Sequence, residues 1–521
     1  MNRSAPYANA ATLRKEHDQI LFSLAYPSDK KELVKARETL SRISQQKIRN
    51  PGSKAVAGLP GSVINGSFSY ALACWLNKRF PQDTEIESSG ADAEMARLLF
   101  RLILPRCEYE SISTGELDLM KRIQLLKGKS SGSMLSWLLE QMTASGISEQ
   151  TKETLFHSLQ LFIRCTINDP SQQLSMLRGP DSPVGFHRMI RKKISLPSFT
   201  RKKIPAPRIL TEAEKQNLID TARASLFFLY RETEPFTYAD PDGLVYFELE
   251  KGLGIALYGM IPERRLSIES YIGYLAFSNG IPVAYGGGWI FGQRCQFGIN
   301  IFPSFRGGPS SLLLAQLIRV YHQYFQVNRF VIKPYQFGRK NPEAIKTGAF
   351  WFYYKAGFRP EDRQLFKMAK EEDQKKQHDK KYRSSEKILR RLTASPLFLS
   401  LSKDAFPDYD ATLLSKKVTR FIQTLYGNNR MKAIRDSSRK LRLVLGDPGL
   451  QHWTPSEKKA LEEWSLILQS TIDWKDWKAK DKRKLLALIR SKGKGPETEF
   501  IRQFRQLGLL WEQWDQTFLR E

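Results

Sequence analysis

Leucine and isoleucine recur at helical spacing through the N-terminal part of the chain. The segments SMLSWLLEQM and ETLFHSLQLFIRC show the pattern most clearly. Apolar residues spaced three and four apart form one stripe along a helix, and that stripe packs on a core. No strand-like run stands out in this stretch, so we expect residues 1–190 to form an α-helical region.

A different pattern begins at Thr211. Thr211 and Glu214 have the spacing of a capping box, which predicts the start of a helix. Short runs rich in Val, Ile, Phe and Tyr then follow, namely GLVYFELE, GIALYGMI, SIESYIGYLAF, IPVAYGGGWIF and QRCQFGINIF. Such runs predict strands, and Asn279-Gly280 between two of them is typical of a two-residue hairpin turn. A helix, a short strand and another helix follow, so residues 211–370 are expected to form a mixed sheet with helices.

The segments around this central part are basic or strongly charged. Residues 191–210, RKKISLPSFTRKKIPAPRIL, contain proline and little apolar periodicity, and they are predicted to be a linker; a basic arm for phosphates is the alternative. Residues 371–400 are predicted to be a charged connector, and residues 401–521 a second α-helical region, basic and rich in tryptophan. The predicted fold class is therefore α+β, with a central mixed sheet between two mostly helical regions.

The last region contains six of the ten tryptophans, at positions 453, 464, 474, 477, 511 and 514. Thr454, Pro455 and Glu457 predict the start of one of its helices, with proline at the first helical position. Large aromatic side chains on amphipathic helices usually fill the core. We expect core packing, with base stacking or a partner's groove as the other interpretation.

The chain carries a net charge of +28. Counted by segment, the excess is +12 in residues 1–210, +5 in residues 211–370 and +11 in residues 371–521. A positive field attracts polyanions such as RNA or an acidic carrier protein. The flanks are therefore candidate surfaces for such a partner, although a generally basic, solvated surface accounts for the same numbers.

Cysteine and histidine positions give no sign of a metal site. The four cysteines, Cys74, Cys107, Cys165 and Cys295, are far apart and have no paired spacing, so reduced thiols and no bound metal are expected. The N-terminus lacks the order of a signal peptide, and no uncharged apolar run is long enough to span a bilayer. These features predict a cytoplasmic protein without a transmembrane segment.

Residues 296–325 combine a strand, a glycine turn and an amphipathic helix. Ile299 and Ile301 alternate with polar positions along the strand, and Arg306-Gly307-Gly308 leads from it into SSLLLAQLIRVYHQYF. The first amides of a helix have no partners within the helix, and its dipole favours negative charge. The arrangement predicts an anion site suited to pyrophosphate.

Two further motifs accompany this turn. Three glycines in Tyr285-Gly286-Gly287-Gly288-Trp289 interrupt a predicted strand, which often marks a close approach of the backbone. Downstream, AFWFYYKAGFRP places Tyr353 four residues before Gly357-Phe358.

In this order the motifs resemble those of the GNAT acyltransferase superfamily. Ile301-x-Pro303-x-Phe305-Arg306-Gly307 is similar to its strand-and-turn motif, and the residues Ala349, Tyr353, Lys355, Gly357 and Phe358 are similar to its second signature. The resemblance is confined to the central segment, residues 211–370.

The resemblance implies an acyl-CoA donor, most simply acetyl-CoA, lying between two parallel strands. The strand that carries Ile299 and Ile301 would line the donor, and its pyrophosphate would rest on the turn at Arg306, Gly307, Gly308, Ser310 and Ser311. It further implies direct attack by an amine on the thioester, with Tyr353 as the general acid that protonates the departing thiolate. A phenol suits that role because its pKa lies near 10.

The family's pattern Arg-Gly-x-Gly-x-Gly/Ala reads here Arg306-Gly307-Gly308-Pro309-Ser310-Ser311. Pro309 removes an amide donor, and a serine hydroxyl would donate in its place. Glu248, Glu250, Glu269 and Asn300 fall on predicted strands, and nothing in their spacing selects a general base.

Three interpretations stay open. The first is an acyl-CoA-dependent N-acyltransferase that acts on an unidentified amine. The second keeps the fold but takes its acyl group from a carrier protein or an aminoacyl-tRNA. The third is a non-catalytic module that binds nucleic acid through the basic flanks.

Overall fold

The computed structural model describes residues 10–43, 50–113, 117–187, 196–402, 410–446 and 449–519. The chain forms two compact units. The N-terminal unit comprises Met1–Arg188, Gln216–Thr237 and Ser278–Pro282, and the sheet unit comprises Met189–Lys215, Tyr238–Phe277 and Val283–Glu521.

The N-terminal unit is built largely from helices, as the leucine spacing predicts. Asp92, Asp118, Ser133 and Ser148 cap four of these helices through their side chains, which satisfies amides that a helix start leaves free. The helices are α1 (Ala10–Ala25), α2 (Lys30–Ile43), α3 (Tyr70–Arg79), α4 (Ala93–Ile103), α5 (Arg106–Ser113), α6 (Leu119–Lys127), α7 (Met134–Ala144) and α8 (Glu149–Ser158).

This unit also contains a three-stranded antiparallel sheet, so the expectation of a region without strands is wrong. Its strands are β1 (Val63–Gly66), β2 (Thr84–Ser89) and β3 (Leu161–Thr166), with β3 in the middle. The sequences VING and TEIESS are short and polar, and β2 buries only Thr84 and Ile86. Strands this short, with so few buried apolar residues, carry too little pattern to be recognised.

The sheet unit contains an eight-stranded mixed sheet in the order β10-β11-β9-β8-β7-β6-β5-β4. Its strands are β4 (Val245–Glu248), β5 (Leu253–Tyr258), β6 (Ser270–Ser278), β7 (Ile281–Phe291), β8 (Arg294–Ile301), β9 (Arg329–Ile332), β10 (Arg359–Pro360) and β11 (Leu397–Ser400). Strands β8 and β9 run parallel, whereas β7 and β8, β9 and β11, and β10 and β11 are antiparallel. The predicted turn joins β6 to β7 with positive φ at Asn279 and Gly280.

Strand β11 lies inside the segment predicted to be a charged connector. Its residues pair with β9 from Leu397↔Ile332 to Ser400↔Arg329. Leu397 and Leu399 are buried and alternate with polar or partly exposed positions, but a strand of this length after a long charge run is easily overlooked. Part of the segment 371–400 is therefore a strand of the sheet.

The next helices along the chain are α9 (Leu196–Thr200), α10 (Glu212–Phe227), α11 (Glu234–Thr237), α12 (Ser310–Phe325), α13 (Pro342–Thr347), α14 (Ala349–Lys355), α15 (Arg363–His378) and α16 (Glu386–Leu392). The capping box before α10 is confirmed, since the Thr211 N–H donates to Glu214 at 2.9 Å and the Glu214 N–H to Thr211 at 3.2 Å. Residues 191–195 of the predicted linker lie outside the described residues. In the described part, the Ile204 N–H donates to the Gln323 side chain at 2.9 Å, which anchors this segment to α12. The predicted domain boundaries stay predictions.

The C-terminal part of the sheet unit is helical, as expected. It contains α17 (Ala411–Tyr426), α18 (Arg430–Val444), α19 (Pro455–Thr471), α20 (Ala479–Gly493), α21 (Glu497–Gln506) and α22 (Gly508–Leu519). Of the six tryptophans, Trp453, Trp464, Trp477 and Trp514 are buried. The interpretation of these four as core residues is confirmed.

Candidate active site

Strands β8 and β9 run side by side over a short stretch and then separate. Their pairing covers Arg294↔Arg329 to Gln296↔Val331. Beyond it β8 continues to Ile301, whereas β9 ends at Ile332 and the chain turns into a short 3₁₀ helix at Pro334. We call the region between the two strands beyond the end of their pairing the β8–β9 gap.

The backbone of β8 presents amide groups to this gap. Phe302 just after the strand donates its N–H to Val283 of β7 at 3.1 Å. Because successive N–H groups of a strand point to opposite edges, those of Ile299 and Ile301 face away from β7 and toward the gap. The two strand residues predicted to line the donor therefore have the orientation that this role requires.

The hydroxyl of Tyr353 lies at the same place. Tyr353 is on α14, only 2% exposed, and packs against Phe337 and Phe358 with ring centroids 6.5 and 5.8 Å away. The backbone N–H of Ile299 acts on this hydroxyl to lower its pKa, which places the amide near the phenol. Burial raises the pKa of Tyr353 well above its ordinary value, and the N–H of Ile299 only partly offsets this, so the phenol keeps its proton at neutral pH.

A glycine sets the position of α14. Residues 342–355 do not form one helix, because Gly348 adopts the left-handed conformation at φ 65° and separates α13 from α14. Asn341 caps α13 through its side chain. A glycine accepts this conformation at little cost, and the break lets α14 run in its own direction toward β8.

The turn after β8 is folded tightly upon itself. Three of its five predicted donor residues use their amides internally: Arg306 donates to Pro303, Gly308 to Phe305 and Ser310 to Gly308, at 3.3, 3.2 and 2.7 Å. The amides of Gly307 and Ser311 have no acceptor among the residues that the structure describes. Two of the five predicted amides are thus available for a phosphate.

The start of α12 favours an anion in a second way. Pro309 is the N-cap residue and offers no capping side chain, so the amide of Ser311, unlike that of Ser310, is left for solvent or a ligand. Gly307 has φ of 92°, and no heavy atom lies within 4 Å of where its Cβ would be. The space beside the turn is therefore open.

The side chain of Arg306 is held by a carboxylate. Its Nη1 lies 2.7 Å from Oε1 of Glu343 on α13, and both side chains are more than half exposed. Such an exposed pair contributes little to stability, so a phosphate would displace Glu343 from Arg306 at small cost.

The three glycines of β7 are explained by packing. A Cβ at Gly286 would lie 2.6 Å from Oη of Tyr274, whose hydroxyl donates to the Gly298 carbonyl at 2.9 Å. A Cβ at Gly287 would meet the ring of Tyr271, and one at Gly288 the sulfur of Cys295. These glycines make room for side chains that pack against the sheet.

The three glutamates considered as a general base belong to neither β8 nor β9. Glu248 is on β4, four strands away from β8. Burial alone would raise the pKa of Glu250, but hydrogen bonds from Arg319, Lys202 and Gln316 outweigh it and hold that pKa well below its usual range. Glu269 directly precedes β6, which is two strands or about 10 Å from β8.

One face of the sheet carries features that the sequence did not reveal. The rings of Tyr271 and Trp289 stack there with centroids 4.0 Å apart and an interplanar angle of 7°, and both are half-buried. On β8, Gln296 lies opposite Trp289 and Gly298 lies opposite Gly287. Directly opposed residues of paired strands point to the same face of the sheet, so all four residues belong to this face. The stacking follows from the register between β6 and β7, which a single sequence does not specify.

Glu269 lies two residues before Tyr271 in the sequence. Its carboxyl group is half-buried, and its pKa is raised by desolvation and by Asp410, although Arg294, Lys333 and Lys492 act against the rise. A carboxylate and stacked aromatic rings are both groups that attract an organic cation.

Within the described ranges, no helix has both the length and the apolar character needed to cross a membrane, and no group of His, Cys, Asp or Glu side chains has the arrangement of a metal site. No protein-family model, no curated protein and no solved structure matches this chain.

Proposed function

We propose that the sheet unit is an N-acyltransferase that takes its acyl group from a CoA thioester. The observation that carries the proposal is the position of the buried Tyr353 hydroxyl near the Ile299 N–H at the β8–β9 gap. It brings a proton donor and a strand amide to one point between two parallel strands, which is what transfer from a thioester requires.

The reaction uses each group in turn. The carbonyl oxygen of the thioester accepts a hydrogen bond from the Ile299 N–H, and that N–H stabilises the negative charge that forms on the oxygen. The neutral amine attacks the carbonyl carbon, and the carbon–sulfur bond then breaks. The phenol of Tyr353 gives its proton to the thiolate and regains one as the new amide nitrogen loses its extra proton.

The donor's other end would lie on the turn. The amides of Gly307 and Ser311 and the start of α12 would hold the pyrophosphate, with Arg306 released from Glu343 as a further partner. Between the turn and Tyr353 the donor would run along β8, where the N–H groups of Ile299 and Ile301 face the gap.

The acceptor would approach over the face that carries Tyr271 and Trp289. Stacked aromatic rings and the carboxylate of Glu269 suit a protonated amine or another cationic group. Because Glu269 lies about 10 Å from β8, it is suited to recognising a distant part of the acceptor rather than to deprotonating the attacking nitrogen.

A second candidate is transfer from a carrier protein or an aminoacyl-tRNA. It is favoured by the turn itself, where Arg306, Gly308 and Ser310 use their amides internally. A donor whose phosphates bind elsewhere would not need these amides.

Calorimetric titration of the full-length protein with acetyl-CoA and with desulfo-CoA tests the proposal. Binding of both compounds, followed by thiol release from acetyl-CoA when an amine is added, supports a CoA donor. No heat with either compound, in protein whose circular dichroism shows it to be folded, rejects the CoA donor and leaves the second candidate.

A further inference from the structure

Helices α17 and α18 form a hairpin with an unusual concentration of positive charge. Residues 411–446 contain nine Lys and Arg residues and a single acidic residue, Asp436. This net +8 is most of the +11 carried by residues 371–521. The positive excess of the C-terminal region is therefore concentrated on one helical hairpin.

The hairpin separates an inner from an outer face. On α18 the buried residues Ala433, Ser437 and Leu441 recur every fourth position, and on α17 the buried residues are Leu414 and Ile422. These positions pack the hairpin onto the rest of the sheet unit, which fixes the direction of its opposite face.

The outer face of α18 carries a row of cations, which we call the basic row: Lys432, Arg435 and Arg439. Their spacing of three and four residues places them on one side of the helix. At 1.5 Å per residue the row is about 10 Å long. Lys432 and Arg439 are exposed, and the Arg435 side chain is 76% exposed.

The hairpin supplies little negative charge to offset this row. Its own carboxylate, Asp436, lies 3.7 Å from its neighbour Arg435, which is a long ion pair. Helix α15 is different, because Glu371, Glu372 and Asp373 accompany its basic residues, and Lys375 pairs with Glu372 at 2.9 Å. The basic row thus keeps a positive field that the mixed charges of α15 do not produce.

We propose that the α17–α18 hairpin binds the phosphate backbone of a nucleic acid through the basic row. Cations held at fixed spacing by a rigid helix match a chain of regularly spaced phosphates, and the release of their counterions favours binding. Two members of the row are arginines, which contact phosphate oxygens with two parallel hydrogen bonds. This interaction is separate from donor binding at the β8–β9 gap.

The distribution of apolar residues argues against a membrane as the partner. A helix that lies on a bilayer has one continuous apolar face with cations along its borders. On α18 the order is reversed, since the cations occupy the middle of the exposed face and the exposed apolar residues Met431 and Leu443 stand near its two ends.

Fluorescence anisotropy of the full-length protein with a labelled nucleic-acid duplex, measured over a range of salt concentrations, tests the proposal. We expect the logarithm of the binding constant to fall linearly with the logarithm of the salt concentration. In the double variant Arg435→Gln/Arg439→Gln the slope should fall by roughly 1.8, or about 0.9 for each cation lost. Duplexes of unrelated sequence should be affected equally.

The control is Lys367→Gln/Lys370→Gln, which removes two exposed charges from the mixed-charge helix α15 and should leave the slope unchanged. An equal fall in both double variants would mean that only the net charge matters, and it would overturn the assignment to the basic row. So would stronger binding to phosphatidylserine vesicles or to polyglutamate than to the duplex, or no binding to the duplex at all. Titration of acetyl-CoA into the same variants shows whether the β8–β9 gap is intact, so failure of one proposal does not decide the other.

Discussion

The N–H of Ile299 acts on the buried hydroxyl of Tyr353 and opposes the rise of its pKa, so the two groups that a thioester would need lie close together. The carbonyl oxygen of a donor must come between these two groups to accept the amide. The packing of Tyr353 against Phe337 and Phe358 holds its ring in position until the donor arrives.

Replacing Tyr353 by Phe separates catalysis from binding. Loss of the general acid should lower the rate of thiol release about 10²- to 10⁴-fold. The affinity for acetyl-CoA should stay equal or rise slightly, because phenylalanine cannot compete for the Ile299 N–H. Rapid thiol detection gives the rate, and calorimetry gives the dissociation constant. Tyr354→Phe on the same helix is the matched control, and an equal loss of rate in that variant would contradict the role of Tyr353.

The titration of Tyr353 provides a second prediction. Tyrosine ordinarily loses its proton near pH 10. Burial raises the pKa of Tyr353 above that value, so its phenol is still protonated in the folded protein at pH 10. The rate of acyl transfer should therefore show no loss from deprotonation of Tyr353 up to about pH 10. Tyrosinate absorbance, compared between the wild type and Tyr353→Phe, measures this directly, and an excess of tyrosinate in the wild type below that pH would contradict it.

A negative charge at Ser311 should have opposite effects on binding and stability. In Ser311→Glu the carboxylate lies in the first turn of α12, where the helix dipole stabilises it by about 0.3–1 kcal/mol. The same charge repels the pyrophosphate from the Ser311 amide, so acetyl-CoA binding should be lost. The control is Thr412→Glu, an exposed residue at the second position of α17, which should leave that binding intact. Retained binding in Ser311→Glu would place the pyrophosphate elsewhere.

Much of the sheet unit can be predicted because its strands are long and flanked by turn residues. The hairpin at Asn279-Gly280 and both capping boxes, at Thr211 and Thr454, are recognisable because local residue types specify them. Such features depend on neighbours in the sequence, and a single sequence is enough to identify them.

The features that sequence patterns miss depend on distant parts of the chain. Strand β11 is stabilised by pairing with β9, from which several helices and strand β10 separate it along the chain. Strand β1 likewise pairs with β3 across most of the N-terminal unit, and the stacking of Tyr271 on Trp289 depends on register between strands. A short strand gains its stability from such partners rather than from its own residues.

Adding a methyl group at Gly286 tests whether the glycine run is required for packing. The Cβ of Gly286→Ala would lie 2.6 Å from Oη of Tyr274 and would also press on the Gly298 carbonyl. Overpacking of this kind costs about 1–3 kcal/mol. Chemical denaturation should show this loss, whereas Gly146→Ala, with no heavy atom within 4 Å of the added Cβ, should stay close to the wild type. If Gly286→Ala had the stability of the wild type, the neighbouring atoms of the sheet would have to shift to make room for the Cβ, and the glycine would not be required for packing.

A buried ion pair fixes the connection between α20 and α21 to the start of β6. Lys492 Nζ lies 3.1 Å from Glu497 Oε1 and donates to the Glu269 carbonyl at 2.8 Å, and the side chains of Lys492 and Glu497 are nearly inaccessible. Burial lowers the pKa of Lys492, and Glu497 acts against that shift. Removing Lys492 takes away the nearer cation and leaves the buried Glu497 carboxylate with the more distant Arg265, 3.9 Å away, and breaking a buried pair is strongly destabilising.

Lys492→Met should therefore destabilise the protein by about 3–5 kcal/mol. The double variant Lys492→Met/Glu497→Gln leaves neither charge, and Arg265 beside Glu497 keeps its ion pair with Asp240 at 3.1 Å. It should thus be more stable than Lys492→Met even though it carries one more substitution. Chemical denaturation of the wild type, Lys492→Met, Glu497→Gln and the double variant completes a double-mutant cycle. The cycle gives the interaction energy between Lys492 and Glu497. If the two losses simply add, the pair is not coupled, and the buried arrangement contributes through packing alone.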